Sequence, residues 1–260
     1  MKDKLDVAIS TWGAEGMRRV AAMNLPHAEG VRYVVSWQNA GADRTLPDEL
    51  ARRDDIRVCF TDERGLGANR LNANMHCDAD YILVADDDVQ YSAEQLGRII
   101  STLDNNPDVQ VALFRYQGCS KAYPAQQCDI SYPMPKGYYV SSIEIAFRRE
   151  ILDTINFDSN FGINAPLFQA GEDSKFIYDA ITNGMRCRFF PITICSHEHP
   201  STGDRPMSLG MAYTAGKLIR LEYPGSWILR IPLKAWRNHK IGGKFFSPML
   251  SMFHGAFVRI

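Results

Sequence analysis

Short apolar runs recur along the first half of the chain at intervals that leave room for a helix between them: LDVAIS 5–10, VRYVVS 31–36, IRVCF 56–60, YILVA 81–85 and VQVALF 109–114. Helical patterns over 14–23, 66–76 and 92–104 fill the gaps, and the last opens with Ser92 and Gln95 at capping-box spacing. Strands apolar on both faces that alternate with helices restrict the architecture severely. They point to an α/β fold with a mostly parallel sheet covered on both sides. Ligands of such sheets bind beyond the carboxyl ends of the strands.

One of those ends is unusual. YILVADDDVQY, 81–91, runs from an apolar strand directly into Asp86, Asp87 and Asp88. Two unit charges about 4 Å apart repel by roughly 4 kcal/mol at an effective dielectric near 20. A free surface triplet relieves that by turning into water, but this one is fixed where a buried strand stops. A cation in the working state resolves the repulsion. Asp86 and Asp88, two apart on an extended segment, project to one side, and Asp87 faces the scaffold. Mg²⁺ and Mn²⁺ favour oxygen ligands, and Mg²⁺ is often held by one or two carboxylates together with substrate phosphates. A solvated acidic turn is the plain alternative.

Three more segments carry chemistry. GLGANRLNAN, 65–74, sets Gly65 and Gly67 ahead of a helix bearing Arg70, an arrangement that suits phosphate oxygens at a helix start, although taken alone a plain turn-plus-helix explains it better. GEDSKFIYDAITNG, 171–184, places Glu172 and Asp173 at a helix start, with Phe176, Ile177, Ala180 and Ile181 on one face and Gly184 at the C-terminal end. ICSHEHPSTG, 194–203, follows a β-type run with His197 and His199, either of which can complete a carboxylate metal site. Between them, residues 117–137 lack any period and read as a loop, and YYVSSIEIAF 138–147 reads as a strand.

The chain has 260 residues, 45% hydrophobic and 23% charged, enough for one sizeable core with an appendage. A formal net charge of −1 argues neither for nor against nucleic acid, and no nucleic-acid partner is expected. MKDKLDVAIS has charges where a signal peptide needs an apolar stretch, which leads to the expectation of a cytoplasmic chain. The six cysteines form no CxxC pair and read as reduced thiols. After Glu222 no acid follows, while Arg230, Lys234, Arg237, Lys240, Lys244 and Arg259 interleave with large apolar residues. Two readings fit that tail equally: a segment resting peripherally on the anionic inner face of a membrane, or a helix packed on the domain with a solvated basic edge. The expected division is 1–205 for the main domain and 206–260 for a helical C-terminal segment.

Taken in order, Gly65 to Arg70, Asp86 to Asp88, Glu172-Asp173 and the late His197 or His199 resemble the inverting family 2 glycosyltransferases over roughly residues 5–205. The resemblance implies the GT-A fold, a Rossmann-like mixed, mostly parallel sheet flanked by helices. It implies a metal-dependent transfer, with inversion, from a nucleotide diphosphate sugar, UDP-linked, to a hydroxyl of a glycan or lipid-linked acceptor, as in cell-surface polysaccharide biosynthesis. Mn²⁺ or Mg²⁺ is the implied cofactor.

Residue by residue, the resemblance implies that Asp86 helps hold nucleotide and metal, with Asp87 beside it, and that Asp88 is the principal metal ligand. Arg70 then lies near the nucleotide phosphates, Asp173 is the base and Glu172 shapes the acceptor pocket. His197 is favoured as the late metal ligand, with His199 as runner-up. Two strand ends depart from the family pattern. STWGAEG retains only Thr11 and Trp12 of the usual first-strand ending. VVSWQNAG offers Ser36 and Gln38 where a base-reading Asp is usual, and an amide at Gln38 can both donate to and accept from a uracil edge. The rivals are a sugar-nucleotide nucleotidyltransferase, disfavoured because STWGAEG lacks a Gly-rich basic signature, and a catalytically silent membrane-associated subunit that binds a sugar nucleotide.

Overall fold

In the computed structural model, which describes residues 3–118, 121–197 and 206–259, the first four apolar runs become β1 (Leu5–Trp12), β2 (Val31–Gln38), β3 (Ile56–Thr61) and β4 (Tyr81–Asp86). The fifth becomes β5 (Val111–Gln117). Residues 117–137, read as a loop, contain the short strand β6 (Cys128–Ile130). The strand read over 138–147 shrinks to β7 (Ile145–Arg148). Its first half is instead turned through a 3₁₀ segment at Ser142–Glu144, because the Glu144 carboxylate folds back to accept from the Ser141 amide at 3.2 Å. β8 (Cys187–Ser196) completes one sheet, in the order β3-β2-β1-β4-β7-β5-β8-β6.

β1 to β4 pair in parallel, β7 runs antiparallel between β4 and β5, and β6 is an antiparallel edge on β8. The sheet is thus mixed and mostly parallel, as expected. Strand alternation divides the core in two. Leu5, Val7, Ile9, Leu83 and Ala85 face one layer, which α1 (Gly13–Ala22) and α4 (Ala93–Asp104) cover. Ala8, Ile82 and Val84 face the other, covered by α3 (Leu66–Met75) and α5 (Glu172–Thr182). A four-residue helix, α2 (Asp48–Ala51), precedes β3. Ser92 and Gln95 form the expected capping box, with bonds of 2.8 and 3.2 Å. Phe176, Ile177 and Ala180 are buried as expected, Ile181 partly, and Gly184 follows α5 at φ 77°. Cys59, Cys77, Cys128 and Cys187 are free thiols, and Cys119 lies outside the described residues.

The chain ends in three helices, α6 (Leu209–Glu222), α7 (Trp227–Lys240) and α8 (Phe246–Phe257). They share a small core of Ala212, Ile231, Ala235, Met252 and Ala256. α6 also closes on the residue before α5: a Cβ at Gly171 would lie 2.6 Å from the Leu218 side chain. Among the described residues no helix is long and apolar enough to cross a membrane.

Candidate functional site

The carboxyl ends of β1, β2 and β4 open into a cavity of about 590 Å³. Thr11, Gln38, Arg70, Asp86, Asp87, Asp88, Glu172, Asp173 and His197 all line it. The sheet register accounts for the convergence, since Ser10 of β1 stands beside Asp86 of β4 and the parallel strands stop together. α5 then delivers its first two residues to the same opening.

The three aspartates have different partners. Asp87 turns back to the scaffold, as expected: Thr11 Oγ1 donates to it at 2.6 Å, and the Arg19 guanidinium forks onto both of its oxygens at 2.9 and 2.8 Å. Asp86 accepts from Arg70 Nη2 at 2.9 Å. Asp88 Oδ2 stands 3.4 Å from His197 Nε2, while Asp88 Oδ1 is buried with no hydrogen-bond partner among the described residues. Burial, and secondarily the charge of Asp86, push the Asp88 carboxyl above its ordinary range. His199 lies outside the described residues.

Among the described residues no three His, Cys, Asp or Glu side chains are already gathered as a metal cage. The donor set nevertheless suits a hard divalent cation. It offers the orphaned Asp88 oxygen, the neighbouring Asp86 carboxylate and a histidine on the same cavity wall. Mg²⁺ in particular retains open positions for waters and substrate phosphates at such carboxylate sites.

The readings of the α3 start, Gln38 and Arg70 need correction. The start of α3 is not a phosphate cradle. The Leu66 and Gly67 amides already donate to the carbonyls of Ile163 and Phe161, at 2.9 and 3.1 Å. Gly65 and Gly67 are needed for close packing instead, because a Cβ on Gly67 would lie 2.4 Å from the Asp158 and Phe161 carbonyl oxygens. Gln38 is likewise committed on one side. Its Nε2 donates to the Glu63 carbonyl and, at 3.1 Å, to that of Gly65, so its amide presents only an acceptor to the cavity.

Arg70 has a different geometry from the expected fork to phosphate. It is only 2% exposed, and Nη2 joins Asp86, Ser142 Oγ at 2.9 Å and Glu172 Oε1 at 3.5 Å. Nε and Nη1 are buried without a partner among the described residues. Arg70 therefore ties the metal-suited strand end to the acidic helix start. Glu172 is buried beside it, whereas Asp173 is partly exposed and accepts from the Ser174 amide at 2.5 Å. Burial raises both carboxyls above their ordinary values, and the charge of Asp173 adds to the shift of Glu172. A helix start by itself favours the ionised form of an acid. At Glu172 desolvation is the larger influence, because the dipole acts there on a group already withdrawn from water.

Sequence reasoning missed Arg19, Asn69 and Ser142. Asn69 Nδ2 donates to the Thr11 carbonyl at 2.9 Å and fixes the first strand end. None of the three carries a local signal, since each acts on a residue more than 50 positions away. A buried pair behind the cavity wall was also invisible in sequence. Lys121 Nζ lies 2.6 Å from Glu144 with both side chains fully buried, and it anchors the segment that presents Ser141 and Ser142.

The family model for glycosyl transferase family 2 matches residues 42–171, half of the chain, including the acidic strand end and Arg70. The chain belongs to glycosyl transferase family 2. It is a glycosyltransferase, and its solved neighbours show the same GT-A-like fold. S. aureus TarS 1–349 superposes with a TM-score of 0.60 at 18% identity, covering 98% of this chain and 73% of that one. The same TarS fragment in complex with UDP-GlcNAc gives 0.60 at 13% identity over 90% and 78%. The mannosyltransferase PcManGT from Pyrobaculum calidifontis, in complex with GDP-Man and Mn²⁺, gives 0.60 at 14% identity over 93% and 74%. Against the longer TarS structure the chain spans 39% of the length. No curated protein matches the sequence significantly.

Proposed function

We propose that this glycosyltransferase moves a sugar from a nucleotide diphosphate donor to an acceptor hydroxyl by direct displacement with inversion, aided by Mn²⁺ or Mg²⁺. The observation that carries the reading is the orphaned, buried Asp88 oxygen beside Asp86 on the wall of a cavity that Glu172 and Asp173 also line. Asp86 and Asp88, with His197, would hold the metal, which when bound stabilises the departing diphosphate. Support for a nucleotide sugar comes from relatives of the same fold in complex with UDP-GlcNAc or GDP-Man, the latter with Mn²⁺.

The chain's own residues have distinct tasks. Thr11 and Arg19 hold Asp87, which keeps the strand end from swinging as ligands enter. The Gln38 carbonyl, its amide hydrogens engaged elsewhere, suits the imide N–H of a uracil edge and favours a UDP-linked donor. Asp173 takes the acceptor proton: it is the more exposed of the two helix-start acids, and its raised pKa makes it a stronger base than an ordinary carboxylate. Glu172, held by Arg70, shapes the acceptor side. The acceptor is a hydroxyl of a glycan or of a lipid-linked sugar.

A screen of nucleotide sugars for hydrolysis, with and without Mn²⁺, tests the reading, combined with calorimetric titration of UDP and GDP. Metal-dependent turnover of one donor and matching nucleotide binding are expected. Absence of both for every donor would overturn it.

A further inference from the structure

The two last helices are apolar on the side turned away from their own core. In α7 the buried residues are Ile231, Ala235 and Asn238. Opposite them, at i, i+4 and i+7, stand Leu229, Leu233 and Trp236, which are 78%, 44% and 47% exposed. α8 repeats the arrangement: Met252 and Ala256 face inward, and Phe246, Leu250 and Phe257 face outward with 71%, 59% and 64% exposure. The two stripes adjoin where α7 ends and α8 begins, and Phe257 at the far end of α8 lies against the core residue Trp227. Trp227 at the start of α7 packs edge-on against Phe257 at 5.4 Å, and Trp236 near its end shares a hollow with Phe246. Exposed apolar residues gathered on one side of two adjoining helices mark an interaction surface.

Its charge identifies the partner. Arg230, Arg237 and Lys240 flank the α7 stripe, Lys244 stands in the turn to α8 and Arg259 just beyond it, and no carboxylate occurs after Glu222. Lys240 Nζ lies 3.9 Å over the Trp236 ring, an indole–cation pair suited to the polar boundary of a bilayer. Such helices lie in the interface plane with apolar residues in the acyl boundary and cations among anionic headgroups. We infer that α7 and α8 form a docking face for an anionic lipid surface, with Leu229, Leu233, Trp236, Phe246, Leu250 and Phe257 entering the headgroup layer. α6 links this face to the cavity, since Met211 lines the cavity and α6 packs on α8. Docking therefore sets the active site close to the lipid surface. That consequence rests on the glycosyltransferase reading; the docking itself does not.

The test is sedimentation of the full chain with vesicles, in the absence of any sugar donor. Phosphatidylcholine vesicles doped with phosphatidylglycerol should carry the protein down, and pure phosphatidylcholine should not. Added salt should release it, since exposed charges are screened within about 8 Å at physiological ionic strength. Replacing Arg230→Gln, Arg237→Gln and Lys240→Gln together should lower partitioning about a hundredfold, given the contribution of each basic residue at such a surface. Replacing Leu229→Ser, Trp236→Ser and Phe246→Ser should abolish it. All six positions are exposed, so thermal unfolding and donor turnover should match wild type; if the serine variant is misfolded, the glutamine variant decides. Equal binding to both vesicle types, no binding, or unchanged binding by the variants would overturn the inference. Self-association in solution that the serine variant abolishes would also overturn it, since a second copy would then cover the face.

Discussion

Arg70 Nη2 lies 2.9 Å from Asp86 and 3.5 Å from Glu172, so one buried guanidinium spans from the end of β4 to the start of α5. The two acids are far apart in sequence and belong to opposite sides of the proposed reaction, the donor side and the acceptor side. Their spacing is set by a side chain that neither motif contains.

Arg70→Met should therefore destabilise the fold and not only impair activity. Removing one partner of a buried charge pair costs about 3–5 kcal/mol. The lower end is expected, because the Asp86 side chain keeps 35% of its exposure. Urea denaturation measures it, and a loss below about 0.5 kcal/mol, the size of an ordinary surface substitution, would show that the guanidinium does not compensate the two acids.

Asp88→Ala removes a carboxylate whose burial is already unfavourable, so stability should hold or rise slightly. Mn²⁺-dependent affinity for a nucleoside diphosphate should disappear. Calorimetry with and without Mn²⁺ reads this directly, and unchanged metal-dependent affinity would remove Asp88 from the metal site.

Asp173→Asn preserves shape and removes basicity, so transfer should fall by about 10² to 10⁴ while donor affinity stays near wild type. Glu172→Gln should act mainly on acceptor KM. Because burial raises the Asp173 carboxyl, the rising limb of kcat/KM against pH should sit above the ordinary carboxylate value of about 3.9. Wild-type transfer by the Asn variant together with a slow Gln variant would exchange the two roles.

Glu222 supplies a pH test away from the chemistry. Burial pushes its carboxyl from 4.5 up to about 7, against the opposing effect of the bond that Tyr132 donates to it at 3.5 Å. The folded protein then binds more protons than the unfolded chain between those values. Stability from this group is full below about 4.5 and is lost as pH rises through about 7. Glu222→Gln should flatten the decline in unfolding free energy between pH 5 and 8; an identical slope would mean that Glu222 titrates normally.

Two glycine substitutions test the closed start of α3. Gly67→Ala forces a Cβ against two carbonyl oxygens and should cost about 1–3 kcal/mol. Gly97→Ala, on the exposed side of α4 with open space around it, should instead stabilise by up to about 1 kcal/mol. Thermal melts of both suffice, and a neutral Gly67→Ala would reopen that helix start as an anion site.

The sequence by itself determined the layered sheet, because burial on both faces leaves a run of consecutive apolar residues that nothing else explains. It also placed Asp86 to Asp88 at a strand end, Glu172-Asp173 at a helix start, and the capping box at Ser92, since each depends on neighbours a few residues away. The tertiary structure decided which groups those residues meet. Long-range packing closes the start of α3 with the carbonyls of Phe161 and Ile163, commits the Gln38 amide to the backbone near Gly65, and leaves Asp88 Oδ1 without a partner among the described residues. It also decided that desolvation outweighs the helix dipole at Glu172, because the degree of burial is a property of the assembled layers and not of any local window. The outward stripes of α7 and α8 belong to the same class. Their composition is legible in the sequence, but only the packing of the inner face on Ala212 and Met252 shows which apolar residues remain in water.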